Sequence, residues 1–150
     1  MIVGHYAVAH IVHLFCAVVF VGGVFFEALV LSVLHTKRVS RESRREVERA
    51  LSYRATRVMP WVVGTLFLSG LVMLHRYGGV LADPFASAFG IQLGLKIVLA
   101  FSVLGHFVAA VRKMRKGTMT AGFSKYIHIA VMLHMAAIVF LAKSMFYIAG

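Results

Sequence analysis

Acidic residues are scarce in this 150-residue chain: five Asp and Glu stand against sixteen Lys and Arg, for a net charge of +11. Cysteine occurs once, as Cys16, which excludes an internal disulfide framework and any zinc site built from paired cysteines. Proline occurs twice, and charged residues of both signs make up only 14% of the chain. With 61% apolar residues, a soluble domain of this size has too little interior to hide its apolar surface. An ordinary soluble enzyme is therefore excluded. The excess of positive charge is not by itself a nucleic-acid footprint until its position is known.

What is present is long apolar runs. Crossing hydrocarbon takes about 20 apolar residues in a helix. Tyr6–Leu34 contains one charge, Glu27; Val58–Leu74 contains none; Pro84–Val111 contains Lys96; and Tyr126–Gly150 contains Lys143. These runs predict four spans at about residues 6–34, 58–76, 88–112 and 125–148. The first lacks a basic n-region and is too long for an h-region, so it is expected to be a retained span and not a cleaved signal peptide. No internal repeat or low-complexity tract interrupts the pattern. The expected fold is all-α: a single integral-membrane domain over 1–150, packed as an up-down four-helix bundle. Gly22, Gly23, Gly64, Ser69, Gly70, Gly94 and Gly105 are small enough to let the spans approach closely.

Thirteen of the sixteen basic residues fall in two connections, eight in 35–57 and five in 112–125. Basic residues in short loops stay on the cytoplasmic side. Both termini are therefore expected outside and both basic loops inside an inner (cytoplasmic) membrane of bacterial type. Topology and contact with anionic lipid then account for the charge, with no nucleic-acid partner. The inner loop over 40–57 is expected to be helical, with Ser43-Arg44-Arg45-Glu46 as a capping box and ion pairs from Glu42 and Glu46. That helix is expected to run into the second span with a kink near Pro60. Gly78-Gly79 and Asp83-Pro84 predict an outer turn.

Eight histidines are the unusual feature of so apolar a chain. Ionisable groups inside a membrane need a partner or a purpose. Depths reckoned at about 1.5 Å per helical residue predict two clusters. The outer one holds His10, His13, His75 and Lys96; the inner one holds His106, His128 and His134, with His106 and His134 at nearly equal depth. Imidazoles from different helices of one bundle can ligate a haem iron from both faces. His13, His106, His134 and His128 are the candidate iron ligands, and His10, Lys96 and His75 the other candidate cofactor contacts. No c-type attachment motif is present, so the expected cofactor is non-covalent haem b, one or two per chain.

Plainer readings stand beside these. Interfacial solvation suits His5, His35 and His75, and a boundary position suits His10. Hydrogen bonding between helices suits His13, His106 and His134. Lys96 and Lys143 are long enough to snorkel. Glu27 is expected to pair with an inner-loop arginine, with proton relay as the alternative. The eight methionines show no tight Met-x-x-Met run and read as packing, and Cys16 as a small apolar residue.

The run His13-Leu-Phe-Cys-Ala-Val-Val-Phe20-Val-Gly-Gly23 resembles the first span of HemJ-type protoporphyrinogen oxidases and the related CopD-like copper-resistance membrane proteins. Phe20 stands where that pattern usually has Trp. Tyr53-Arg54, Met59-Pro60 and Ser69-Gly70 resemble the approach to and course of the second span, and Leu95-Lys96 with His106 the third. The likeness covers residues 10–110 and implies a role for His13 and Lys96 in binding haem b. The fourth span departs from it. The Asn-Glu-x-Pro stretch of the family is absent, and Lys125-Tyr126-Ile127-His128 and His134 stand instead, pointing to a second haem or a different ligand set. The leading functional expectation is a b-haem membrane redox protein that exchanges electrons with a quinone or porphyrinogen. The alternatives are a copper carrier resembling CopD and an accessory subunit of a respiratory complex or homo-oligomer.

Overall fold

A computed structural model describes residues 2–147, and every regular element among them is helical. Helix α1 (Ile2–Leu29) leads through a 3-10 turn at Leu31–His35 to α2 (Arg41–Leu74). A second 3-10 turn (His75–Tyr77) and the short α3 (Gly78–Ala82) precede α4 (Ala88–Arg115) and α5 (Ala121–Ser144). Four of these helices are long and apolar enough to cross a membrane.

Local chemistry sets their ends. Helix α2 starts at Ser40, whose Oγ accepts from Ser43 N at 3.1 Å. The expected box from Ser43 to Glu46 therefore lies inside the helix, three residues late, because Ser40 already satisfies the free amide of the first turn. Ser87 and Thr120 cap α4 and α5 in the same way, accepting from Gly90 N at 3.0 Å and Phe123 N at 3.2 Å. Helix α4 closes in a Schellman turn. Gly117 takes φ +66°, Thr118 N donates to Lys113 O at 2.9 Å, and Gly117 N donates to Met114 O at 3.2 Å. The ion pair on α2 joins Arg44 to Glu48 at 3.2 Å, with His35 on the same carboxylate at 3.5 Å, and not Glu42 or Glu46 to their downstream arginines.

One expectation about breakers is corrected. Gly78 and Gly79 do not form the outer turn but open α3, and Gly78 has helical dihedrals (φ −54°, ψ −40°). The other half of the expected turn, Asp83-Pro84, is where the chain turns, over 83–87, and a Cβ on Gly90 would stand 2.5 Å from the Pro84 carbonyl oxygen. Pro60 lies within a helix that continues through it. Having no N–H, it leaves the carbonyl four residues earlier, at Thr56, without its helical donor. The guanidinium of Arg115, at the end of α4, supplies one: Nη2 donates to Thr56 O at 3.1 Å.

The four long helices run up and down. Early α1 meets late α2 (His13 with Leu66), late α1 meets early α5 (Glu27 with His128), and α4 meets α5 in antiparallel fashion (Ser102 with His134). Helix α1 packs extensively on α2 and α4 on α5; α1 and α5 join the two hairpins, while α2 and α4 share only a thin seam. Phe20, Val63, Val103, Ile127, Val131 and Met135 form the common core, and Phe20 meets Phe107 edge-on at 5.9 Å. Of the six glycines expected at close approaches, Gly23 and Gly70 lie against a neighbouring side chain, whereas Gly22, Gly64, Gly94 and Gly105 face open space. Outside the small core the surface is strongly apolar, with Phe15 and Phe140 each 68% exposed and Trp61 80%. So large an apolar surface calls for a cover other than water.

Candidate functional site

The expected outer cluster divides. His13 projects from α1 onto α2, where its Nδ1 lies 2.9 Å from Leu66 O and 3.2 Å from Ser69 Oγ. A carbonyl only accepts, so Nδ1 carries the proton and donates it, leaving the lone pair on Nε2. Ser69 is buried, and its hydroxyl donates to Thr65 O at 2.7 Å. Gly70 supplies the floor: a Cβ there would stand 3.2 Å from His13 Cε1. Lys96, half-buried on α4, makes no hydrogen bond with His13 and has no ion-pair partner among the described residues. His10 is exposed, with its ring 6.1 Å from that of Tyr6. His75 is exposed in the turn after α2 and makes no hydrogen bond or ring contact with His13 or Lys96. Position on the helix explains the split, since His10 and His75 lie nearer the helix ends, where side chains turn outward.

The expected inner cluster also divides. His106 on α4 and His134 on α5 meet, with ring centroids 5.6 Å apart and planes inclined at 50°. His106 Nδ1 donates to Ser102 O at 2.7 Å, and its Nε2 accepts from the Tyr126 hydroxyl at 3.1 Å. His134 Nδ1 donates to Ala130 O at 2.7 Å, and its Nε2 accepts from the Ser102 hydroxyl at 3.1 Å. In each ring a carbonyl one turn back fixes the tautomer and a hydroxyl from the facing helix occupies the lone pair. His128 belongs elsewhere. Its Nδ1 donates to Ser124 O at 2.7 Å, and its Nε2 lies 2.8 Å from Glu27 Oε1 on α1. The two groups share a proton as one unit, which corrects the expected pairing of Glu27 with an inner-loop arginine. Glu27 is one turn from the end of α1 and faces α5, whereas those arginines lie beyond it.

These arrangements decide which residues suit a haem. A porphyrin ligated from both faces needs two imidazoles whose free nitrogens point at each other across the width of a metal centre. His106 and His134 are in contact, and both their Nε2 atoms are engaged, so this pair does not fit as packed. His128 is engaged at both nitrogens and does not fit either. Of the four candidate iron ligands His13 alone offers a free nitrogen: its Nδ1 is held by a carbonyl, the usual way a ligating imidazole is oriented, its Nε2 has no hydrogen-bond partner among the described residues, and no second imidazole among them makes a ring contact with it, so it suits a ligand to one face of a haem and not the expected two-sided pair. Lys96 adds an unpaired cation of the kind that suits a carboxylate on the same group. No cluster of three or more His, Cys, Asp or Glu side chains is brought together among the described residues.

Two shallow grooves flank these sites. One, of about 700 Å³, lies between α1 and α2 beside Ser69. The other, of about 320 Å³, lies between α4 and α5 beside His106 and Tyr126. Comparison with known proteins identifies no relative: no family model, curated protein or solved structure matches the chain, so the likeness to HemJ-type and CopD-like proteins rests on the residues quoted above.

Proposed function

We propose that the chain is a multi-pass membrane protein, with its basic connections on the cytoplasmic face of an inner membrane and both termini outside, and that it is a b-type haem redox protein using His13 and Lys96. The observation that carries the haem reading is the His13 ring, fixed by the Leu66 carbonyl and open at Nε2. The charge distribution carries the orientation.

In this reading Leu66 O holds the Nδ1 proton and thereby makes Nε2 the better donor to iron. Gly70 leaves the ring its space, and the Ser69 hydroxyl, turned back to its own helix, closes the polar side of the site. Lys96 neutralises an acidic substituent that would otherwise be costly at this depth. The haem, when bound, supplies one-electron exchange with a lipid-soluble quinol or porphyrinogen.

The test is optical. Protein purified in detergent and reduced with dithionite is expected to show a b-type alpha band, with about one haem per chain by pyridine hemochrome. His13→Ala is expected to remove it, and His128→Gln to leave it. A colourless wild-type protein from haem-replete cells overturns the haem reading. Membrane placement is tested separately by impermeant maleimide labelling. Cysteine introduced at Phe85 is expected to react from outside, and at Thr118 only after permeabilisation; the reverse pattern overturns the orientation.

A further inference from the structure

We infer that the groove between α4 and α5 binds the head group of a lipid-soluble quinone or quinol. This rests on the membrane placement proposed above, not on the haem. The groove is open on the side that would face lipid, and α4 gives it a flat floor through Gly105 and Ala109, one turn apart. A Cβ on Gly105 would meet nothing within 4 Å, so the floor is unfilled space and not a helix contact. Phe123 and Tyr126 of α5 form an aromatic wall, with ring centroids 6.3 Å apart. A planar ring of one or two substituents fits between such a floor and wall, and its tail can leave directly into acyl chains.

The polar groups sort the ligand further. The groove has no charged side chain in its lining, though Lys113 Nζ lies 4.7 Å from the centroid of the Phe123 ring that walls it. It does present the Tyr126 hydroxyl, bonded to the unprotonated Nε2 of His106 at 3.1 Å, in a half-exposed position where a ligand oxygen can replace that bond. A quinone carbonyl accepts from the tyrosine O–H. A quinol O–H donates to the imidazole Nε2, whose tautomer is fixed by Ser102 O. One pair thus serves both oxidation states. Ser102, at the deep end, is already committed to His134 and holds the second imidazole behind the first. The groove between α1 and α2 has no such pair on its walls: its buried serine is turned to its own backbone.

The experiment uses the full-length protein in nanodiscs of quinone-free phospholipid, photolabelled with a short-chain azidobenzoquinone and competed with decylbenzoquinone. Label is expected on the peptides bearing Gly105–Ala109 or Phe123–Tyr126 and is expected to be lost on competition. Gly105→Leu, whose Cβ enters open space on the floor of the groove, is expected to lower labelling about tenfold, as are the hydrogen-bond losses in Tyr126→Phe and His106→Leu together. The haem spectrum is expected to be unchanged in Gly105→Leu. Label that maps to Val8–Val12 and Leu68–Val72, or that is indifferent to Gly105→Leu, overturns the inference. A haem-free protein that still labels here overturns the haem reading and leaves this one standing.

Discussion

At His13 a single carbonyl settles which nitrogen is available, and a single missing side chain settles where the ring lies. Gly70→Val is therefore expected to displace the imidazole and abolish most of the haem absorbance while the helix content by circular dichroism stays the same. Gly64→Val, which enters open space, is expected to do neither. The Ser102–His134 bond is a link between helices of a kind worth about 1 kcal/mol in membrane proteins, so Ser102→Ala is expected to destabilise by that amount in a denaturant titration in mixed micelles. Depth counted along the sequence was enough to bring His106 and His134 together. It was not enough to say which ring atoms were occupied, because that depends on Ser102 and Tyr126, residues without any signal of their own. Nor could counting find the Glu27–His128 pair, which joins positions 101 apart through the packing of α1 on α5.

Among the elements, the four long apolar helices were legible because each appears as an uninterrupted apolar run, and their ends were less so. Three short hydroxyl side chains at Ser40, Ser87 and Thr120 make the caps, and a serine three residues too late looked as good as the right one. Ser40→Ala is expected to fray the start of α2 by about 1 kcal/mol, read as faster hydrogen exchange at Glu42–Arg44, while Ser43→Ala has a smaller effect. Gly78-Gly79 misled in the other direction. Paired glycines usually signal a turn, yet here the turn is made at 83–87, beside Gly90, which alone among the described glycines has no room for a Cβ. Pro60 was legible as a break in the helical ladder but not as an attachment point. Arg115→Ala is expected to destabilise by about 1 kcal/mol by leaving the Thr56 carbonyl short of a donor. In a Pro60→Ala background the same change is expected to cost little, because the helix then supplies its own N–H.

As a whole, the molecule is two hairpins with a narrow common core. Phe20 is the aromatic that reaches from α1 to Phe107 of α4. Phe20→Ala is expected to loosen the two hairpins by about 3–5 kcal/mol, measured as a lower midpoint in thermal aggregation from detergent. The up-down order was legible because short connections leave neighbouring helices no other course. The unequal partnership was not: α1 and α5 close the bundle, while α2 and α4 barely meet. Across that thin seam the main polar tie is the guanidinium of Arg115 on the carbonyl that Pro60 strands. The two positions, 55 apart in sequence, are thus tied through one carbonyl: an N–H restored at 60 would compete with the guanidinium for it and leave Arg115 free to turn to water.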